Sequence, residues 1–315
     1  MRLSRTHIPM LTGVAVLVLL VVGATIAFPG FASVGLAHDL LTDCSPLGLA
    51  AIGMTFVILS GGIDLSVGAV IAFATVMIAT LVAHHVSPFV AIPATLAVGA
   101  AFGTGMGWIV ATFNLPPFLV TLAGMFLARG GAYIVQGQAI PIDHPFYDAV
   151  VARHYIGITH VRIEALIFLL ALAVAMFVLH LRPFGRTVYA IGGNEQSALL
   201  MGLPVHRAKV LIYGISGLCA ALGGVVHTFY IASGDPNFTV GSELDAIAAV
   251  VIGGTLLTGG VGYVFGTFVG VLILGVIQEM LPLLGTLNAG WSRVVIGLLL
   301  MLFIVLQRAV GARRQ

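Results

Sequence analysis

Apolar residues run through this chain in long stretches, broken by short polar or glycine-rich pieces. Ten stretches can be read, at 8–28, 44–60, 65–83, 89–112, 117–135, 163–181, 208–232, 244–257, 262–281 and 292–307. A helix needs about 20 consecutive apolar residues to cross the hydrocarbon core of a bilayer. Most of the stretches come close to or exceed that length with few charges, so the pattern predicts membrane-crossing helices. Those at 44–60 and 244–257 are short. They read as tilted, broken or re-entrant segments, which a bundle interior accepts and lipid does not. The first stretch follows Arg2 and Arg5 and imitates a signal peptide. It exceeds the roughly 15-residue limit of a signal-peptide apolar region and lacks a convincing small-x-small cleavage site, so it is read as a retained first span.

Composition narrows the class. Of 315 residues, 60% are hydrophobic and only 8% charged, against roughly 25% charged in a soluble domain. Ordinary soluble enzymes, nucleic-acid binders and disordered chains are excluded. The net charge of +2 matters less than where the charges sit. With an even number of spans and the amino terminus inside, three regions face the cytoplasm. They carry Arg2 and Arg5, then Arg182, Arg186, Arg207 and Lys209, then Arg308, Arg313 and Arg314, nine of the thirteen basic residues. Arg129, Arg153, Arg162 and Arg293 are the remainder. Only Glu195 among the acids falls in those regions. This segregation fits the positive-inside rule and places both termini in the cytoplasm. The predicted fold is therefore all-α: one transmembrane domain over 1–315, a bundle of about ten spans, some short or re-entrant. The charge rule does not separate ten spans from eight spans plus two re-entrant pieces.

One internal echo stands out. Ser60-Gly61-Gly62-Ile63 precedes Gly68, and Thr258-Gly259-Gly260-Val261 precedes Gly266 at the same distance. Each glycine pair ends a short apolar segment and opens a longer one. Paired, glycine-interrupted segments in two halves of a membrane protein point to a transport pathway. The competing reading is close contact between helices through small residues. Ionisable groups inside the apolar stretches are few: Asp64, Arg129, Asp245, Glu279 and Arg293. Each should face protein or water, since a charge at mid-bilayer costs at least about 2.5 kcal/mol. Asp64, followed by Leu-Ser66, reads best as a cap for the next helix. Arg129 reads as a partner of a carboxylate or of backbone carbonyls, with sugar contact as the alternative. Asp64 and Asp245 lie near segment ends, which argues against proton coupling.

Residues 182–209 form the most informative polar stretch. Asn194 is a plausible N-cap, and Glu195 suits the positive end of a helix dipole. Ser197, Ala198, Leu199, Leu200 and Met201 continue a helix of about two turns. Gly202 stops it and Pro204 prevents resumption. Its small and apolar residues, Ala198 and Leu199 among them, fit a partner's groove or the protein's own bundle equally well.

Catalytic chemistry finds no support. A P-loop ends in Gly-Lys-Ser/Thr, and the single lysine, Lys209, follows Ala208. The ten histidines are scattered, without a zinc-binding His-Glu-x-x-His helix, and Cys44 and Cys219 both lie in apolar surroundings. Neither cofactor nor metal is expected in the chain, and it is expected not to be an enzyme.

Four stretches resemble one family. Tyr189-Ala-Ile-Gly192-Gly193-Asn194-Glu195-Gln-Ser197-Ala198, followed by Gly202-Leu203, is similar to the cytoplasmic coupling motif of permeases in bacterial ribose-type sugar ABC importers. Ser197 stands where that motif has Ala, and Leu203 where it has Ile. Gly53 to Gly68, Thr121 to Gly130 and Ala249 to Gly262 resemble the same family, in family order. Many members carry Arg after the second glycine pair; here Val261 stands there, so no role of that Arg carries over. Phe28 to Ser33, Ile140 to Pro145 and Glu243 to Ile247 resemble the galactofuranose-type permeases in particular. The resemblance implies a multi-pass permease of the bacterial inner membrane. It further implies a second permease subunit, identical or homologous, a cytoplasmic ABC ATPase and a periplasmic sugar-binding protein. Gly192, Gly193, Asn194, Glu195, Ser197, Ala198, Gly202 and Leu203 would couple to the ATPase. Ser60, Gly61, Gly62, Asp64, Ser66, Arg129, Thr258, Gly259 and Gly260 would lie near the pathway. The competing function is a self-sufficient secondary transporter of a small polar solute.

Overall fold

Every one of the ten apolar stretches falls on a helix in the computed structural model, which describes residues 8–28, 31, 33–152, 162–283 and 289–312. The basic residues Arg2, Arg5, Arg153, Arg313 and Arg314, with His154 and His160, lie outside the described residues. In chain order the stretches form α1 (Ile8–Ala27), α3 (Ser45–Leu59), α4 (Val67–Ala83), α5 (Pro88–Phe113), α6 (Pro117–Val135), α8 (Ile163–Leu181), α11 (Val205–Ile231), α12 (Ser242–Ile252), α13 (Val264–Leu283) and α14 (Ala289–Ala312). Four further helices were not legible as separate elements: α2 (Val34–Asp43), α7 (Pro145–Ala152), α9 (Pro183–Gly193) and α10 (Glu195–Leu200), of which only α10 was anticipated as a short helix. Among the described residues four helices, α5, α6, α8 and α11, are long and apolar enough to span a membrane. A fifth span is made if α2 and α3, bent by 55° at Cys44, are joined.

Small residues decide how these helices meet. With little hydrophobic drive between helices in lipid, close backbone approach and van der Waals contact hold them together. Gly99, Gly103 and Gly107 lie at every fourth position of α5 and receive Gly217, Tyr213 and Val210 of α11. On other faces α11 packs Ser216 against Gly53 of α3, and Gly223 and Gly224 against Pro46, Ile71 and Ala74. Every α3 residue except Leu47 is buried, so α3 is the axis of the bundle and α11 its main support. In the second half α12 and α13 close on each other through Gly253, Gly266 and Gly270. The halves are joined by a buried hydrogen bond of 2.7 Å between Thr55 and Thr267.

The echo in the sequence is an echo in structure. Helix α3, a glycine turn and α4 form one unit; α12, a glycine turn and α13 form the other. The first glycine of each pair takes nearly the same left-handed conformation, φ +82° at Gly61 and +84° at Gly259, a region glycine enters without steric cost. At the far end of α11 a two-stranded antiparallel ladder forms, β1 (Ile140–Pro141) on β2 (Ser233–Gly234), with Ile140 opposite Gly234. Beneath it Phe146, Tyr147 and Phe229 cluster edge to face.

Candidate functional site

Residues 183–200 fold as two helices meeting at Asn194. Pro183 opens α9, where its missing N–H costs nothing. Asn194 leaves the helix in extended conformation, φ −163° and ψ 110°, and its Oδ1 accepts the Ser197 N–H at 2.8 Å. That is the N-cap geometry, and it starts α10. The C-terminus is a Schellman motif: Leu203 N–H donates to Ala198 O at 3.1 Å and Gly202 N–H to Leu199 O at 2.9 Å. Gly202 holds the required left-handed φ of +75°. Glu195 accepts a 2.6 Å ion pair from Lys209, which ties α10 to the start of α11. Both partners are partly exposed, so the pair contributes at most about 1 kcal/mol. Removing the cap in Asn194→Ala is expected to cost α10 about 1 kcal/mol, a roughly fivefold shift toward the frayed segment. Amide hydrogen exchange at Ser197 reads that shift, and unchanged exchange would refute the assignment.

The two faces of α10 differ. Ala198 is fully buried and packs with Ile191, Val205 and Ala208. Leu199, Leu200 and Met201 are 54%, 90% and 67% exposed. The helix therefore rests on its own bundle through Ala198 and presents an apolar tip outward. Sequence reasoning treated the small and apolar residues of this helix alike and did not separate Ala198, which is buried, from Leu199, Leu200 and Met201, which are exposed.

Behind α10, the end of α9 meets both glycine turns. A Cβ built on Gly192 would overlap the Leu59 carbonyl and crowd the Gly260 amide. That same amide donates to Leu59 O at 2.9 Å and so joins the second turn to the end of α3. Gly259 lies against Gly61, and Gly260 against Gly193. Tyr189 Oη donates to Gly262 O at 2.7 Å, a second strap between α9 and the turn. The Thr258 carbonyl lies beside Gly61, while the Ser60 hydroxyl turns back to Val57 O at 2.8 Å. Thus Gly61, Thr258, Gly259 and Gly260, read separately from the sequence as pathway candidates, are brought together with Gly192 and Gly193, whereas Ser60 bonds back within α3 and Gly62 faces Tyr213 of α11. The glycines of the two turns and of α9 form a packed joint.

Asp64 sits deeper and is fully buried. Its Oδ1 accepts the Ser66 N–H at 2.9 Å and the Ser66 hydroxyl at 2.6 Å, just ahead of α4. Its Oδ2 accepts the Ser216 hydroxyl at 2.7 Å, which pins the turn to α11. Ser216 escaped sequence reading; a lone serine among the small residues of α11 was the only available signal. Arg129 lies apart from the joint. It donates to Pro236 O at 2.8 Å and Phe238 O at 2.9 Å, and so holds the segment entering α12. Hydrogen bonds to a charged donor contribute about 1.5–3 kcal/mol. Arg129→Gln is therefore expected to lower the stability of the chain by about 2 kcal/mol, and Arg129→Lys by less. Thermal unfolding in detergent measures this, and an unchanged midpoint for Arg129→Gln would contradict it.

Residues 36–304 match the family described as branched-chain amino acid transport system, permease component. The inner membrane ABC transporter permease protein YjfF of Escherichia coli is 45% identical over 97% of this chain and 93% of its own length. The fructose import permease protein FruG of Bifidobacterium longum is 38% identical over 99% and 94%. The ribose import permease protein RbsC of Escherichia coli is 39% identical over 86% and 85%. These relatives are transporter subunits, not enzymes. No solved structure matches the chain. Helices long and apolar enough to span a membrane, glycine turns shared between two halves and near full-length similarity to permeases agree, and the chain belongs to this family of transport-system permease components.

Proposed function

We propose that the chain is the pathway-forming permease of an ATP-driven monosaccharide importer in the bacterial inner membrane. Its partners are a cytoplasmic ABC ATPase, a second permease and a periplasmic binding protein. One observation carries this reading. The exposed apolar tip of α10 is joined, through Gly192 at the end of α9, to the glycine turns of both halves. Movement of a docked partner would reach both halves at once. Allosteric coupling needs an element with differential contacts in two states, and this joint supplies a continuous route to one. The sugar relatives support a monosaccharide as cargo. For its identity we favour galactofuranose, because the segments of that resemblance include Ile140 in the β1–β2 ladder and Asp245 at the opening of α12.

Basic residues Arg182, Arg186, Arg207 and Lys209 flank α9 and α10, so this end of the bundle is assigned to the cytoplasm. Proteoliposomes test the reading. The chain is reconstituted with and without ATPase, second permease and binding protein, and labelled galactofuranose is followed with ATP on the ATPase side. Uptake that requires the partners and ATP is expected. Uptake by the chain alone, abolished by an uncoupler, would replace this reading with a secondary transporter.

A further inference from the structure

Helices α5 and α6 are joined by a short turn, Asn114 to Pro116, yet they pack on different partners. α5 lies along α11 through Gly99, Gly103 and Gly107, and α6 lies on α4. The arms of this hairpin therefore stay splayed and leave a groove of about 490 Å³ between them. Each arm lines it with a stripe of every fourth residue: Ala101, Gly105 and Ile109 on α5, Leu119, Ala123 and Leu127 on α6. All of the lining residues are apolar or glycine. The small ones set its depth. A Cβ built on Gly105 would meet nothing within 4 Å, so the floor there is open space rather than packed side chain.

Shape and charge select the occupant. The groove runs from Leu115 in the turn to Leu127 of α6, about 18 Å at 1.5 Å per residue. That is about one leaflet of the roughly 30 Å hydrocarbon core. A helix about 10 Å wide would occupy about 1,400 Å³ over that length, so a single acyl chain enters where a partner helix does not. The mouth lies at the end of the bundle that carries α10. There Thr112, one turn beyond Ile109, is hydrogen-bonded to His206 Nε2 at 3.1 Å. His206 and Arg207, in the first turn of α11, are both exposed. On the last turns of α5, Trp108 and Phe113 meet edge to face with centroids 5.8 Å apart, as aromatics at a membrane interface do. Neither α5 nor α6 carries a carboxylate, and their one charge, Arg129, lies toward the other end of α6. On the neighbouring elements, Asp64 is held by Ser66 and Ser216, and Glu195 by Lys209. Among the described residues no carboxylate pairs with Arg207.

We infer that this groove binds one acyl chain of an anionic phospholipid whose phosphate is held by Arg207 and His206. An acyl chain gains nothing from burial alone when it leaves lipid for an apolar groove. Selection therefore lies in the headgroup, and one basic residue near a membrane surface favours an anionic lipid about fivefold. Such a lipid has a lever on transport. The Leu65 N–H donates to Thr121 Oγ1 at 3.2 Å, so α6, next to the groove residue Val120, is tied to the segment that follows the first glycine turn. Arg207 precedes Ala208, which packs with Ala198 of the coupling helix. Chain and headgroup thus lie beside the two parts that the packed joint connects. The inference rests on the importer reading only for the leaflet, the cytoplasmic one.

The test uses the full chain in nanodiscs of phosphatidylcholine with a trace of phosphatidylglycerol that carries a diazirine on one acyl chain. After illumination, labelled peptides are located by mass spectrometry. Labelling of the groove is expected to exceed that of Leu166, Leu170 and Val174, exposed on α8, by about fivefold or more. The same diazirine on phosphatidylcholine should show no such excess. Gly105→Leu fills the open floor and should remove the excess. Arg207→Gln should lower groove labelling by phosphatidylglycerol about fivefold. Should Gly105→Leu fail to insert, Ala123→Phe fills the facing wall. Even labelling of the groove and α8 would overturn the site. Equal groove labelling by both lipids would overturn the headgroup assignment. Loss of groove labelling once the second permease and the ATPase are added would give the groove to a protein partner instead. Labelling needs neither partners nor ATP. Focused labelling in a chain without ATP-driven uptake would therefore sink the importer reading and leave the lipid site standing, and even labelling beside normal uptake would do the reverse.

Discussion

Leu200→Asp is expected to abolish ATP-driven uptake while the chain still folds and inserts. The side chain is 90% exposed, and changes at exposed positions usually shift stability by less than about 0.5 kcal/mol. Folding therefore has little reason to respond. Docking has every reason to. Burying a leucine side chain against a partner contributes about 1.5–3 kcal/mol. An aspartate forfeits that and adds the cost of desolvating a carboxylate. At 1.4 kcal/mol per factor of ten, ATPase affinity should fall about 100-fold or more. Binding of the purified ATPase to the chain in nanodiscs measures this directly, alongside uptake. Ser197→Asp on the same helix is a milder comparison, because an acidic residue near an N-terminus is favoured by the helix dipole. Equal ATPase binding by native and Leu200→Asp chains would show that the apolar tip of α10 is not the docking surface.

The sequence was most legible where one residue type does one physical job. Asn194 and Gly202 marked the ends of α10 because few residues supply a side-chain acceptor at an N-cap or a left-handed φ at a C-terminus, and both appear in those roles. The ten apolar stretches were legible because lipid demands continuous apolarity. What stayed hidden depended on contacts between distant segments. Helix α9 looked like a loop, since its polar positions and two closing glycines disguised a helix that packs on α8 and α11. Helix α2 was missed because its polar positions His38, Asp39, Thr42 and Asp43 interrupt the apolar pattern, although Pro46 in the first turn of α3 marks where the next helix opens. His227, Phe238 and Asp245 lie within 18 residues of one another, yet only the return of α12 and α13 beside α11 brings them together with Gln278 around one cavity. Asp245 was noticed as an ionisable group within the membrane; its companions gave no comparable signal.

The sharpest test of the joint compares two adjacent glycines that the sequence treats alike. Gly192→Ala is expected to abolish uptake and Gly193→Ala to leave it nearly intact. A Cβ on Gly193 has open space around it. A Cβ on Gly192 would overlap the Leu59 carbonyl and press on the Gly260 amide, the two atoms that make the hydrogen bond between the turns. All of these obstacles are backbone, so no flexible side chain can move aside. Overpacking of this kind costs about 1–3 kcal/mol, and leaving the buried carbonyl and amide apart adds about 1–3 kcal/mol. The chain relieves the clash by separating α9 from the two turns, which removes the link between α10 and the halves of the bundle. ATPase binding through Leu199, Leu200 and Met201 should survive in Gly192→Ala, because those side chains lie on the far side of α10. The expected signature is therefore ATP hydrolysis without uptake. Loss of both together would mean that Gly192 supports folding of the coupling segment rather than transmission through it. Full uptake by Gly192→Ala would mean that the packed joint is not the route by which the two halves are moved.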